Sequence, residues 1–241
     1  MTPPLFLVDD LPMGDTLRLS GDEGRHAARV KRLGVGEVVL VSDGAGTLLD
    51  CVVSAVLADG LALTVRSRRS AAAATPRIVA VQALPKGERA ELAVEVLTEL
   101  GVDEIVPWAA SRSIAQWHGA RGEKALEKWR RTAREAAKQS RRPWVPVVAP
   151  LASTADVAAR LSHSAGLVLH EDATEPFGSV ALPPDGDIVV VIGPEGGIAP
   201  AELDAFTATG ARAVRLGEPV LRTSTAGAAA LTALSVRLGR W

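Results

Sequence analysis

The chain has 241 residues, with 27 Lys and Arg against 28 Asp and Glu, one cysteine, no tyrosine and three phenylalanines. A chain of this length buries enough surface to fold without staples, and the lone Cys51 excludes an intramolecular disulfide and every multi-cysteine zinc pattern. Four scattered histidines lack HExxH-type spacing, and no apolar run reaches the roughly 18 residues of a membrane span.

A reducing compartment, a cytoplasmic location and no metal are therefore expected. The opening residues, MTPPLFLVDDLP, carry prolines and acids where a secretory leader has a basic start and a long apolar stretch. Residues 1 to 65 alternate short apolar runs with turn signals, and "VVLVS" and "LLDCVV" around "DGAG" read as a hairpin. A small β-barrel is predicted over residues 1–70, interrupted by one helix near 22 to 33. On that helix Arg25, Arg29 and Arg32 fall at i, i+4 and i+7. His26 sits among them and suits a phosphate or hydrogen-bond contact better than general-base work.

"RSRRSAAAATP", residues 66 to 76, is charged, then Ala-rich, then closed by proline, and marks a boundary with a linker at 71–76. Beyond it the period changes. "RIVAVQAL" predicts a strand, residues 88 to 100 a helix with Ala93, Val96, Leu97 and Leu100 on one face, and "DEIVPW" another strand. A basic helix follows, on which Arg130, Arg134, Lys138 and Arg141 recur at intervals of four, four and three. "GLVLHE", "DIVVVIG" and "AVRLG" continue the alternation, so residues 77–241 read as α/β with a mostly parallel sheet. The closing helix, "TSTAGAAALTALSVRL", puts Leu231, Leu234 and Leu238 on one stripe beside Ala226, Ala230 and Ala233, which suits packing onto the sheet ahead of a dimer face.

Charge is unevenly spread. Residues 121 to 142 hold nine Lys and Arg against three Glu, whereas 151 to 241 hold six against ten acids. One basic helical face is ordinarily just solvated. Two of them on a near-neutral chain favour a nucleic-acid backbone, while the scarcity of aromatics weighs against stacking several bases on a sheet.

Three stretches end predicted parallel strands: "LHED" at 169 to 172, "IGPEGG" at 192 to 197 and "LGEPVLRTSTA" at 216 to 226. Ligands in open α/β sheets gather outside the carboxyl ends of strands, so these turns should share one crevice. The middle one offers bare backbone, but its only charge is Glu195 and no GK[ST] follows, so it suits a neutral or cationic small molecule better than a phosphate. Pro200 and Glu202 suit the first turn of a helix over 200 to 209, with Ala199 a poor cap. Arg222, before the hydroxyl run Thr223, Ser224 and Thr225, reads either as a surface arginine beside an N-cap or as a fixed cation at the crevice.

Taken together, "IGPEGGI", "LGEPVLRTSTA", "QALPKGERAE", "TELGVDEIVP", "SRSIAQW", "EAAKQSRRP" and "RHAARVKRLGVGE" resemble the 16S ribosomal RNA uridine N3-methyltransferases of the small subunit methyltransferase E type, in the SPOUT class. The resemblance spans nearly the whole chain. It implies an N-terminal PUA-like RNA-binding barrel, a C-terminal α/β domain with a deep trefoil knot, a homodimer, and S-adenosylmethionine as methyl donor. The substrate it implies is a decoding-region uridine of 16S ribosomal RNA, free or in the small subunit. By position it assigns the donor to Leu169, His170, Ile192, Gly193, Pro194, Gly196, Gly197, Leu216, Gly217, Val220, Leu221, Thr223 and Ser224. Arg222 and Glu195 are the catalytic candidates. RNA contacts are expected from Arg25, His26, Arg29, Arg32, Lys86, Arg112, Arg130, Arg134, Lys138, Gln139, Arg141 and Arg142. The chain departs from the pattern at Ser224, Val96 and Ala199, where relatives often carry glutamate, lysine and serine. The rival reading is a non-catalytic RNA-binding protein of ribosome assembly on the same fold.

Overall fold

The computed structural model describes residues 2–87 and 89–241, so Met1 and the expected helix start at Glu88 lie outside the described residues. It divides into two compact units, one running to Ala73 and including Ala137–Val145, the other comprising Ala74–Ala136 and Pro146–Trp241.

The first unit is a five-stranded sheet of β1 (Leu5–Leu7), β2 (Thr16–Leu19), β3 (Val38–Ser42), β4 (Thr47–Leu57) and β5 (Gly60–Ser70), in the order β1-β3-β4-β5-β2. The β3–β4 hairpin forms where expected, its turn held by the Asp43 carboxylate, which accepts from the amides of Ala45 at 2.8 Å and Thr47 at 3.0 Å. Phe6, Leu19, Val39, Val41, Leu49, Cys51, Leu61 and Leu63 fill its core.

Two expectations are corrected here. The charged stretch from residue 66 is strand as far as Ser70, because β4 supplies cross-strand partners: Ser67 and Arg69 both bond the Asp50 carboxylate, at 2.8 and 3.2 Å. The single helix over 22 to 33 is instead α1 (Gly21–Arg25) followed by one π-helical turn, His26–Val30. That wider turn lets Ala27 and Leu33, six residues apart, both reach the core. It also breaks the regular spacing assumed for Arg25, Arg29 and Arg32, the last of which adopts a left-handed backbone with φ 54°.

The second unit is a six-stranded parallel sheet. Its strands are β6 (Arg77–Ala83), β7 (Glu104–Trp108), β8 (Val147–Val148), β9 (Ala165–Leu169), β10 (Asp187–Ile192) and β11 (Arg212–Val214), in the order β11-β9-β10-β6-β7-β8. The helices are α2 (Arg89–Glu99), α3 (Gly119–Gln139, whose residues to 136 belong here), α4 (Thr154–Leu161), α5 (Pro200–Thr207) and α6 (Thr223–Arg237). Both sheet faces are covered, which is why the strands read as unbroken apolar runs. Ile78, Ala80, Ile188, Val190 and Ile192 meet Leu97 of α2, Trp129 of α3 and Leu231 and Leu234 of α6. The alternate residues Val79, Val81, Val189 and Val191 meet Val157 and Leu161 of α4 and Phe206 of α5. The α6 stripe thus packs inward. Among the described residues no helix is long and apolar enough to cross a membrane.

Candidate active site

The order of the second sheet dictates where a ligand can sit. The chain lays β6, β7 and β8 outward in one direction, crosses to β9 on the other side, and inserts β10 between β9 and β6. The reversal leaves a crevice at the carboxyl ends of β6 and β10. There the turns after β9, β10 and β11 meet around a cleft of about 790 Å³, lined by Leu169–Asp172, Ile192–Ile198 and Leu216–Thr223 with Arg89, Arg112 and Asp204 among the others.

The glycine turn after β10 is held along its length. At its start, the Gly193 carbonyl accepts from Thr223 Oγ1 at 2.6 Å, and that hydroxyl accepts from Gln82 Nε2 at 3.1 Å. At its tip, Glu195 Oε1 accepts from the Lys86 amide at 3.1 Å and the Gly196 carbonyl from Arg112 Nη1 at 3.3 Å. At its end, the Ala199 amide donates to Glu202 Oε2 at 3.1 Å, and Gly197 closes the turn on the Pro194 carbonyl at 2.9 Å. Gly193 has no room for a side chain, since a Cβ there would lie 2.7 Å from Ile198 Cγ1. Gly197 has φ +72°, a conformation that L side chains rarely adopt.

The start of α5 is better satisfied than its sequence suggests. Ala199 offers no side-chain oxygen, but Glu202 reaches back to its amide and supplies half of a capping box. At α6 the cap position falls on Arg222 itself, whose guanidinium has no acceptor to offer the helix amides, while Thr223 turns its hydroxyl to Gly193. The Arg222 carbonyl accepts from the amides of Thr225 and Ala226, both at 2.9 Å, which fixes its main chain. Arg222 lines the cleft and is exposed, with no side-chain hydrogen bond among the described residues.

Of the residues expected at the donor, Leu169, His170, Ile192, Gly193, Pro194, Gly196, Gly197, Leu216, Gly217, Val220, Leu221 and Thr223 line this cleft, as do Glu195 and Arg222. Ser224 is buried behind it, 5% exposed. Arg112 lines it as well, while Lys86 meets the turn through its amide. Cleft residues without an earlier assignment include Arg89, Arg215 and the carboxylates of Glu171, Asp172, Asp204 and Glu218.

The basic residues divide between the units. In the first, Arg25, Arg29, Arg32, Gln139 and Arg141 are exposed and His26 and Arg142 half-buried. Arg25 pairs with Asp22, and Arg141 Nε donates to the Pro3 carbonyl at 3.1 Å. Lys138 belongs to no open stripe: it is buried and pairs with Glu23 at 2.7 Å. In the second unit, Arg130 is exposed and pairs with Glu127, and Arg134 is half-buried.

Comparison with known proteins agrees with this architecture. Residues 73–235 match the RNA methyltransferase domain family and residues 19–64 the RNA methyltransferase PUA domain. A ribosomal RNA small subunit methyltransferase E of Mycobacterium bovis is 47% identical over the whole of this chain and 94% of its own length. The Bacillus subtilis protein of the same name is 28% identical over 91% of this chain and 90% of its own. A crystal structure of a ribosomal RNA small subunit methyltransferase E from Neisseria gonorrhoeae, bound to S-adenosyl methionine, superposes with a TM-score of 0.86 at 26% identity, covering 98% of both chains. A PUA domain followed by an α/β unit whose three turns meet in one cleft, with full-length identity of this order, places the chain in the ribosomal RNA small subunit methyltransferase E family.

Proposed function

We propose that the protein transfers a methyl group from S-adenosylmethionine to N3 of a uridine in 16S ribosomal RNA. The observation that carries this reading is the convergence of three main-chain-rich turns on one cleft with Arg222 at its wall. The cleft volume, about 790 Å³, lies within the roughly 300–1,000 Å³ usual for small-molecule sites. The glycine turn has no cation of its own to attract a phosphate, and the cleft sets Glu171, Asp172, Asp204 and Glu218 against Arg89, Arg112, Arg215 and Arg222, a mixed lining that suits a donor carrying both a cationic sulfur and a carboxylate. The residues therefore fit the donor, as does its presence in the Neisseria gonorrhoeae structure.

Bound there, the donor supplies an electrophilic methyl on a positively charged sulfur and leaves as a neutral thioether. The chain's part is alignment and electrostatics. The anchored turn from Gly193 to Ala199 holds the donor with amides and carbonyls that do not reorganise. Arg222 donates to a uracil oxygen or adjacent phosphate as negative charge builds on the base losing its N3 proton. Glu195 Oε2, which carries no hydrogen bond among the described residues, is the acid best placed by the turn to take that proton.

The finer features of the fold form part of the same proposal, and the family resemblance supports them. These are a closed barrel over 1–70, a linker at 71–76, a SPOUT domain over 77–241 with a trefoil knot, a homodimer and a cytoplasmic location. Val236 and Trp241, 60% and 62% exposed, give a second copy apolar surface to cover. RNA contacts are assigned to Arg25, His26, Arg29, Arg32, Lys86, Arg112, Arg130, Arg134, Gln139, Arg141 and Arg142. Calorimetry with S-adenosylmethionine tests the donor: measurable heat is expected, whereas none at millimolar donor would leave only an RNA-binding assembly protein. Mass mapping of 16S ribosomal RNA from cells lacking the protein tests the substrate, and one uridine should lose its methyl.

A further inference from the structure

Among the described residues, Glu202, 6% exposed, is the one buried acid of the second unit that faces no cation among its hydrogen-bond partners. Its partners are all neutral donors. Oε1 accepts from the Ser111 amide at 2.8 Å and from Thr154 Oγ1 at 3.1 Å, and Oε2 accepts from the Ala199 amide at 3.1 Å. Thr154 Oγ1 accepts in turn from Trp108 Nε1 at 3.2 Å. A capping role needs only the Ala199 bond. The carboxylate instead joins the last residue of the glycine turn to the turn after β7, one residue before Arg112. Arg112 then closes the circuit by donating to the Gly196 carbonyl at 3.3 Å, and the Gly196 Cα packs against it so closely that a Cβ would lie 3.2 Å from Arg112 Cβ.

We propose that Glu202 is a positioning residue for the donor, setting the distance between the glycine turn and the Arg112 turn so that both present their polar atoms to one ligand. It touches neither donor nor RNA, and the inference rests on reading the cleft as the donor site. A carboxylate can accept on both oxygens. A glutamine in its place has one acceptor, and keeping the Ser111 and Thr154 bonds would leave its NH2 facing the Ala199 amide, two donors head to head.

Glu202→Gln and Thr154→Val separate positioning from mere core stability. Thr154→Val also leaves buried groups unpartnered, namely Trp108 Nε1 and one lone pair of Glu202, but leaves both turn amides on the carboxylate. Donor affinity by calorimetry, with thermal melting alongside, is the readout. Glu202→Gln should weaken S-adenosylmethionine binding about tenfold, the worth of one charge-assisted bond, while Thr154→Val lowers the melting temperature with donor affinity within about twofold of the parent. If both variants bind donor like the parent, Glu202 is only a core residue and the inference fails. If the parent itself gives no heat, it is the donor reading that fails. Should Glu202→Gln not fold, Ala199→Pro breaks the same bond from the other side: φ −69° suits proline, and its ring replaces the amide proton and displaces the carboxylate from Ala199. The same tenfold loss is expected there, and unchanged affinity would overturn the proposal.

Discussion

Thr223→Val is the substitution that most directly probes how the glycine turn is held. Thr223 is 5% exposed, and its hydroxyl both donates to the Gly193 carbonyl at 2.6 Å and accepts from Gln82 Nε2 at 3.1 Å. Valine keeps the shape and deletes both bonds. It leaves the part-buried Gly193 carbonyl without that donor and takes one of two acceptors from Gln82 Nε2, which keeps its 3.0 Å bond to the Ala83 carbonyl. One carbonyl left without its donor costs about 1–3 kcal/mol. With a urea slope of about 2 kcal/mol per molar, the midpoint of the second unit should fall by about 0.5–1.5 M. Thr223→Ser keeps the hydroxyl and loses only a methyl, so it should fall by about 0.8 kcal/mol at most. Freeing Gly193 should also weaken donor binding in the valine variant and not in the serine variant. Urea titrations followed by near-ultraviolet circular dichroism, with calorimetry in parallel, measure both. Superimposable curves for the two variants would refute the claim that this hydroxyl anchors the turn.

Other expectations follow from the same geometry. Arg222→Ala should leave donor affinity nearly intact and abolish methyl transfer, and undiminished transfer in a filter-binding assay would remove Arg222 from the mechanism. Reversing Arg130 and Arg134 to Glu should weaken RNA binding and flatten its dependence on salt, whereas an unchanged slope would demote them to solvated surface. Burial, reinforced by the neighbouring Asp50 charge, pushes the Cys51 thiol up from 9.0 to about 11. The folded state thus favours the protonated thiol, so its contribution to stability is complete below about pH 9 and declines as pH rises towards 11. Thiol reagents at pH 8 should label Cys51 only on unfolding, and rapid labelling of the native protein would contradict its burial.

The parts of the fold legible in the sequence are those where one physical signal dominates. The runs "RIVAVQAL" and "DIVVVIG" are continuous because both faces of β6 and β10 are covered, and the turns that follow sit at strand ends in any parallel sheet. What sequence could not display is the partner of each polar side chain. Gln82 lies inside an apolar run, Glu202 resembles an ordinary first-turn acid, and the spacing of Lys138 is that of a solvated face. Only the folded chain brings Thr223 to the first, Ser111 to the second and Glu23 to the third. The π-helical turn at His26–Val30 was hidden for a related reason: the six-residue interval from Ala27 to Leu33 matches no regular period. Arg89 lies within "QALPKGERAE" and Arg215 within "AVRLG", but neither run singles its arginine out, and only the cleft they line marks them.

The central claim is most directly tested by incubating the purified protein with isotopically labelled S-adenosylmethionine and small ribosomal subunits from cells that lack it, then mapping the label by mass spectrometry. One labelled methyl per subunit, on N3 of a single uridine of the 16S ribosomal RNA, is the predicted result. Label on another base or atom, or none with subunits and free RNA alike, would contradict the account.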